Sequence, residues 1–271
     1  MNDNVVAFIG AGNMARCVIA AMVKSGYPAS NIIASNRTEP KLQALAADYG
    51  IQTTLDNLAA VQKADVIVLA VKPQMMGDVC KQLIEQAPEI KEKLFVSVAA
   101  GIPVGRYESW LGEVRLVRSM PNTPSLVGLG VTGLFPSRCS NYEKSFVDAM
   151  FKGTGMTVWL DNEAEIDHVI AVTGSSPAYF FYFMQAMQQE AEALGFAPEQ
   201  AKKMVAQTAL GAATMALESE QSFAELRAQV TSKGGTTHEA VTSFANAGLE
   251  QIVSQAMQAA IHRAREMAKT L

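Results

Sequence analysis

Cysteine is scarce in this sequence of 271 residues, which contains only three. Cys17, Cys80 and Cys139 lie far apart and form no CxxC pair. Such spacing excludes a dense disulfide framework and offers no thiolate cluster for a metal ion. We therefore expect free thiols in a reducing compartment and no metal site.

Long apolar runs and clusters of positive charge are also missing. The longest apolar candidates, Val66–Val71 and Tyr179–Met184, are far shorter than the roughly 18–20 residues that span a bilayer. The N-terminus enters an apolar run by Val5 without a basic segment or a cleavage site, so no signal peptide is predicted. The formal net charge of −4 comes without the Lys/Arg footprint of a nucleic-acid-binding surface. These absences predict a cytoplasmic protein that binds neither membranes nor nucleic acids.

The two halves of the chain have different patterns. Up to about residue 160, short β-branched runs alternate with helical segments such as Met14–Lys24 and Lys41–Tyr49. This alternation predicts a parallel sheet covered on both faces. The predicted strands are Val5–Ile9, Ile32–Ser35, Val66–Val71, Leu94–Val98 and Leu116–Met120.

After about residue 163 the strand pattern ends, and Ala, Met, Gln and Glu dominate. Apolar residues recur every three or four positions through Val205–Leu217 and Leu249–Met267, which predicts a helical bundle. We interpret its Met- and Ala-rich faces as packing surfaces, within or between subunits. The predicted fold class is α/β, with the sheet domain over residues 1–160 and an all-α domain over residues 161–271.

A glycine turn follows the first predicted strand. The turn matches the GxGxxA form of the dinucleotide-binding fingerprint, and its residues are Gly10, Ala11, Gly12, Asn13, Met14 and Ala15. Gly10 allows the tight turn, Gly12 lets the backbone approach a pyrophosphate, and Ala15 lets the helix pack on the strand. Free N–H groups and the helix dipole then attract the phosphates. The sequence therefore predicts a Rossmann-type nucleotide-binding domain.

The end of the second strand indicates which dinucleotide binds. Enzymes that use NAD usually carry Asp or Glu there, whereas this chain has Ser35, Asn36 and Arg37. Arg37 can bind a ribose 2′-phosphate and Ser35 can donate a second hydrogen bond, each contributing about 1.5–3 kcal/mol. NADPH is the predicted cofactor, and NADH is the less favoured alternative. Arg37 as a solvated surface charge stays open as the other interpretation.

Three further strand ends should lie beside the same crevice, because ligands bind at the carboxyl edge of such sheets. We expect their small residues to contact ribose and nicotinamide, although loop formation alone would also explain them. Lys72 is not assigned as the catalytic acid, and a structural role for it stays open. The predicted contacts are Ala70, Val71, Lys72, Pro73, Ala99, Ala100, Gly101 and Asn122.

A second glycine pair lies in the helical half. Two glycines stand between hydroxyl residues just before a helical run, which is typical of a backbone N–H nest that binds an anion. An ordinary Gly-Gly helix connection is the alternative. The candidate substrate-binding residues are Ser232, Gly234, Gly235, Thr236 and Thr237.

Taken together, these motifs resemble the pyrroline-5-carboxylate reductase family in content and in order. They span almost the whole chain, and their combination is far more specific than any single piece. Two positions depart from the family pattern: Lys233 replaces the usual proline and Ser176 replaces the usual glycine. The motifs are Gly10–Ala15, Ala70–Pro73, Met120–Pro124, Gly174–Tyr179 and Val230–Thr237.

The resemblance implies NAD(P)H-dependent reduction of the cyclic imine 1-pyrroline-5-carboxylate to L-proline, the last step of proline biosynthesis. It implies a helical dimerisation domain whose helices interleave between subunits, with dimers that assemble further into larger rings. By the same resemblance, the Ser232–Thr237 segment would hold the substrate carboxylate. Glu220 would lie near the ring nitrogen and Asn57 near the adenosine. Thr237 is the candidate hydroxyl near that nitrogen.

Two other functions stay open at the level of sequence. A relative of the β-hydroxyacid dehydrogenases would use a helix lysine as acid and base, but Lys202 and Lys203 lack the Gly-rich context for it. A sensor that binds NADPH without turnover would not need the second glycine nest. Histidine catalysis is not favoured, because His168, His238 and His262 lie on predicted helices.

Overall fold

The computed structural model describes residues 4–270 and contains one eight-stranded sheet. The strand order is β3-β2-β1-β4-β5-β6-β7-β8, and the first six of these strands run parallel. The order reverses between β1 and β4, which is where such sheets form a ligand-binding crevice. The strands are β1 (Val6–Ile9), β2 (Ile32–Ser35), β3 (Gln52–Thr54), β4 (Val66–Leu69), β5 (Leu94–Ser97), β6 (Arg115–Met120), β7 (Gly130–Ser137) and β8 (Gly155–Trp159).

Seven α-helices accompany the sheet in the described sequence up to Val169, and five α-helices follow. A π-helical turn, Ile170–Gly174, separates the two groups. The first group is α1 (Asn13–Lys24), α2 (Glu39–Tyr49), α3 (Asn57–Lys63), α4 (Pro73–Gln86), α5 (Val104–Leu111), α6 (Asn141–Phe151) and α7 (Glu165–Val169). The second group is α8 (Ser176–Ala193), α9 (Pro198–Glu218), α10 (Phe223–Gln229), α11 (Thr236–Asn246) and α12 (Leu249–Thr270).

The central strands β1 and β4 are apolar at every position because both faces of the sheet are covered. In β1, Val6 and Phe8 belong to one hydrophobic core and Ala7 and Ile9 to the other. All five strands predicted from the sequence are present, with ends that differ by at most two residues. The predicted α/β class with a helical C-terminal region is confirmed.

Three strands were not predicted, and the sheet is not wholly parallel. The three residues of β3 are mostly exposed and β8 is half-buried, so neither forms an apolar run. β7 contains glycine and proline, which are unusual in strands. β7 runs antiparallel to β6 because the residues 121–129 that join them contain only a short 3-10 turn and no crossover helix.

The chain divides into two compact units. The first comprises the described residues up to Ser175 together with those from Ala260 onward, and the second comprises Ser176–Ala259. The sheet ends at Trp159, immediately before the predicted boundary at residue 160. Within the described residues, no helix is both long and apolar enough to cross a membrane.

Candidate functional site

The turn between β1 and α1 contains two glycines in different environments. Gly10 has φ +107° and its N–H donates to the Ser35 carbonyl oxygen at 2.8 Å. A Cβ atom on Gly10 would lie 2.6 Å from the Ala70 carbonyl oxygen, whereas one on Gly12 would meet nothing within 4 Å. Gly10 is therefore required by the backbone around it, and Gly12 leaves open space above the turn.

The N-terminus of α1 is free to bind an anion. Its N-cap residue, Gly12, has no side chain to cap the helix, and the first turn carries no acidic residue. The first N–H groups of a helix, here those of Asn13, Met14 and Ala15, have no acceptor within the helix. Just before the helix, the Ala11 N–H donates to the Asn36 side-chain oxygen at 3.4 Å. The predicted phosphate-binding turn thus has the required backbone geometry.

The end of β2 presents neutral polar groups and one cation. Ser35 is buried, and its hydroxyl donates to the Asn57 side-chain oxygen at the start of α3. The Asn36 amide donates to the Thr38 hydroxyl at 2.6 Å. Arg37 is exposed and takes part in none of the ion pairs found among residues 4–269. An unpaired guanidinium therefore stands where a carboxylate would stand in an NAD site.

The carboxyl ends of β4 and β5 lie at the same edge of the sheet as the turn between β1 and α1, because these strands run parallel to β1. The Ala70 N–H donates to the Ile9 carbonyl oxygen at 2.9 Å, which holds the end of β4 against β1. Lys72 is exposed and precedes α4 as its N-cap residue. The edge carries the predicted contacts Ala70, Val71, Lys72 and Pro73 after β4, and Ala99, Ala100 and Gly101 after β5.

Asn122 is buried just beyond β6, and both polar atoms of its side chain form hydrogen bonds with backbone groups. The side-chain nitrogen donates to the Thr173 carbonyl oxygen at 2.9 Å, and the side-chain oxygen accepts from the Val131 N–H at 2.9 Å. These bonds join the π-helical turn to β7. The predicted role of Asn122 in cofactor binding stays a prediction, and its structural role is an addition.

A buried polar network beneath the end of β5 was not predicted from the sequence. Ser97 and Tyr107 are fully buried, with their hydroxyl oxygens 2.5 Å apart. Burial raises the pKa of the Tyr107 phenol far above its ordinary value. Arg118, on β6, forms an ion pair with Glu163 at 2.8 Å. The one available signal was the arginine inside a predicted buried strand, because a buried cation requires a partner.

The glycine nest of the helical unit connects α10 to α11. Gly234 has φ +74°, and the Gly235 N–H donates to the Ser232 carbonyl oxygen at 3.0 Å. Gly235 is the N-cap residue of α11 and provides no side-chain cap, so the N–H groups of Thr236 and Thr237 have no acceptor within the helix. The side chains of Ser232, Thr236 and Thr237 are exposed. This arrangement can bind a carboxylate.

Glu220 lies in the exposed segment between α9 and α10. Its neighbour Gln221 accepts a hydrogen bond of 2.7 Å from the Gln229 side chain, which ends α10. The bond ties the Glu220 segment to the start of the glycine nest.

Lys202 and Lys203 are exposed on α9. Residues 4–269 contain no group of three His, Cys, Asp or Glu side chains that could hold a metal ion.

Two family models match the two parts of the chain. Residues 5–101 match the model described as NADP oxidoreductase, coenzyme F420-dependent, and residues 163–267 match pyrroline-5-carboxylate reductase dimerisation. These matches follow the division between the sheet and the helical bundle.

Full-length relatives give the same family. A pyrroline-5-carboxylate reductase from Vibrio alginolyticus is 49% identical over 272 residues, covering 99% of each chain. The structure of such a reductase from Coxiella burnetii matches with a TM-score of 0.94 and 40% identity, over 98% of this chain and 99% of that one. A Plasmodium falciparum pyrroline carboxylate reductase with NADP bound matches with a TM-score of 0.86 and 25% identity, over 99% of both chains. The chain belongs to the pyrroline-5-carboxylate reductase family, as the sequence motifs predicted.

Proposed function

We propose that this protein reduces 1-pyrroline-5-carboxylate to L-proline with NADPH as the hydride donor. One observation carries the proposal: a chain that aligns from end to end with such reductases keeps two uncapped helix N-termini behind glycine turns. One is α1 behind Gly10–Gly12, and the other is α11 behind Gly234–Gly235. The first suits the phosphates of a dinucleotide and the second suits the carboxylate of the imine acid.

The residues around the first turn fit NADPH. Gly12 leaves space for a pyrophosphate, and the α1 N-terminus supplies N–H donors. Arg37 binds the 2′-phosphate with charge-assisted bonds, and Ser35 with Asn57 lies beside the adenosine ribose. When bound, the reduced nicotinamide supplies the hydride that the imine carbon accepts. NADH lacks the phosphate that Arg37 binds, so it binds more weakly.

The residues of the second turn bind and orient the imine. The carboxylate accepts from the N–H groups of Thr236 and Thr237 and from the hydroxyls of Ser232 and Thr236, while Gly234 and Gly235 give the turn its shape. A protonated imine accepts hydride far more readily than a neutral one. Thr237 holds a proton at the ring nitrogen through its hydroxyl oxygen, and the Glu220 carboxylate stabilises the positive charge there. The main contribution of the protein is positioning.

The helical unit also supports self-association. Its exposed surface carries many large apolar side chains, which single-chain proteins seldom leave in water. They include Phe180, Phe181, Tyr182, Leu217 and Phe223. We infer a dimer formed through residues 161–271, with residues 1–160 binding the cofactor, and further assembly of dimers into a ring. The three free cysteines support a cytoplasmic location.

The direct test is oxidation of NADPH in the presence of racemic pyrroline-5-carboxylate, with NADH measured in parallel. We expect loss of the reduced-nicotinamide absorbance that depends on the imine, prefers NADPH and yields L-proline. Folded protein that binds NADPH but oxidises neither cofactor would instead favour the sensor.

Thr237 offers a test of the proton at the ring nitrogen. Thr237→Ala should lower kcat by about a hundredfold, because a positioned group that keeps the proton at the reacting nitrogen contributes on that order or more. Thr237→Ser keeps the hydroxyl and should recover most of the rate. Thr242→Ala, on the same helix, is the matched control. Turnover within about twofold of the wild type for Thr237→Ala would contradict this role.

A further inference from the structure

The segment 98–103, between β5 and α5, is held at both ends by side chains. At its start, the Ala99 N–H donates to the Ser97 hydroxyl oxygen at 3.2 Å. At its end, the Val104 N–H donates to the Glu163 carboxylate at 2.7 Å. Gly101, with φ +78°, forms the bend between these two anchors. The path of the segment is therefore set by groups that lie outside it.

Both anchors are themselves fixed by buried partners. The Ser97 hydroxyl oxygen lies 2.5 Å from the Tyr107 hydroxyl, and the Ser97 carbonyl oxygen accepts from the Ser119 hydroxyl at 2.7 Å. The same Glu163 oxygen that holds Val104 also accepts from Arg118 at 2.8 Å. Ser97 and Arg118 are register partners on adjacent strands, so the two anchors meet at one place on the sheet.

Burying the polar groups of this network costs free energy at a position where apolar packing would suffice. The Arg118 side chain is only 5% exposed, and its Nε atom has no hydrogen-bond partner. Replacing a buried ion pair with well-packed apolar residues is often neutral or stabilising. A Phe at position 107 would fill the same volume as Tyr107. Stability alone therefore does not explain why charged and hydroxyl groups converge beneath this segment.

We propose that Tyr107, Arg118 and Glu163 are positioning residues, which fix the Ala99–Gly101 backbone against the nicotinamide half of the cofactor. The proposal rests on the proposed function, since it takes Ala99, Ala100 and Gly101 as nicotinamide contacts. Hydride transfer depends on alignment to within about an ångström, and a rigid support for the contacting backbone maintains that alignment. None of the three side chains needs to touch the cofactor.

The test separates the nicotinamide half of the cofactor from the adenosine half. Dissociation constants are measured for NADPH and for 2′-phospho-ADP-ribose, which lacks nicotinamide, together with kcat. For Tyr107→Phe we expect NADPH binding to weaken about fivefold, as for one lost buried hydrogen bond, and kcat to fall. Affinity for 2′-phospho-ADP-ribose should stay unchanged. The matched control is Tyr27→Phe, which removes a hydroxyl that donates to the Asn4 carbonyl oxygen at 2.5 Å.

Glu163 gives a second and independent comparison. Glu163→Gln keeps an oxygen that can accept from the Val104 N–H, and Glu163→Ala does not. The glutamine variant should retain most of the NADPH affinity that the alanine variant loses, with 2′-phospho-ADP-ribose binding unchanged in both. If Tyr107→Phe fails to fold, the comparison of Glu163→Gln with Glu163→Ala tests the positioning role by itself.

Equal loss of affinity for both ligands would show general damage and overturn the inference, as would no change in either. A wild type that neither binds NADPH nor turns over would overturn the proposed function as well. The inference alone would be overturned if the wild type binds and oxidises NADPH but the variants show no difference between their losses of affinity for NADPH and for 2′-phospho-ADP-ribose.

Discussion

Gly10 and Ala70 approach so closely that a Cβ atom on the glycine would lie 2.6 Å from the alanine carbonyl oxygen. The contact joins the end of β1 to the end of β4, on either side of the point where the strand order reverses. Gly12, two residues later, has no atom within 4 Å of the corresponding position. The two glycines of one motif thus serve different purposes, folding for the first and ligand approach for the second.

This difference predicts opposite results for two alanine substitutions. Gly10→Ala should lower the free energy of unfolding of the cofactor-free protein by about 1–3 kcal/mol or more, because it forces a positive φ and a backbone clash. Gly12→Ala should change that free energy by less than about 0.5 kcal/mol. It should weaken NADPH binding about tenfold, through lost contact with the pyrophosphate. Denaturant unfolding and cofactor titration measure the two effects, and equal stability of both variants would contradict the distinction.

Arg37 should determine the preference for NADPH over NADH. Arg37→Ala should lower kcat/KM with NADPH by about ten- to hundredfold, the equivalent of about 1.5–3 kcal/mol for charge-assisted bonds. The value with NADH should hardly change, because that cofactor has no phosphate for the guanidinium to bind. Lys91→Ala, which removes an exposed cation from the turn before β5, is the control. A parallel loss with both cofactors would show that Arg37 has another role.

The fold could be predicted where burial alone sets the residue pattern. β2 was predicted with its observed ends because all four residues are buried and apolar or small. β7 was missed because its glycines follow from packing in three dimensions. A Cβ on Gly130 would lie 2.1 Å from the Ser125 hydroxyl oxygen, and one on Gly133 would lie 2.9 Å from Val169. Only the folded structure shows why a strand contains them.

In the candidate site, too, some residues could be predicted from the sequence and others could not. Glycine turns and strand ends are local features, so their residues could be chosen from the sequence. Thr173, the partner of the Asn122 amide nitrogen, and Val104, a partner of Glu163, could not, because they lie far away along the chain. Asn122 and Thr173 are 51 residues apart, and Glu163 and Val104 are 59 residues apart. Residue type indicates that a buried polar group needs a partner, but only the topology identifies that partner.

The cysteines should react slowly with thiol reagents in the folded protein. Burial raises the pKa of the Cys80 thiol to about 12 and that of Cys139 to about 11, and it also raises the pKa of Cys17. The thiolate is the reactive form, so at pH 8 labelling of Cys80 should be roughly a thousandfold slower than in denaturant. Rapid labelling of Cys80 in the native state would contradict its burial.

The same pKa shifts set the sign of an effect on stability. Below the ordinary thiol pKa of about 8.5, the thiols are protonated in both states and contribute no pH dependence. As the pH rises above that value, the unfolded chain ionises first and is favoured. The free energy of unfolding should therefore fall with pH, by up to about 1.4 kcal/mol per pH unit for each such thiol. Denaturant unfolding of Cys80→Ala should show a weaker decline over this range.

Asn122 allows its structural role to be separated from its predicted role in cofactor binding. Asn122→Ala removes the bonds to Thr173 and Val131 and leaves two buried backbone groups unpaired, so the cofactor-free protein should lose about 2–4 kcal/mol of stability. Asn122→Asp keeps the acceptor for Val131 and loses the donor to Thr173, so its stability should be intermediate. If Asn122 acts only through the fold, the affinity of each folded variant for NADPH should match that of the wild type. Wild-type stability in Asn122→Ala would contradict the structural role.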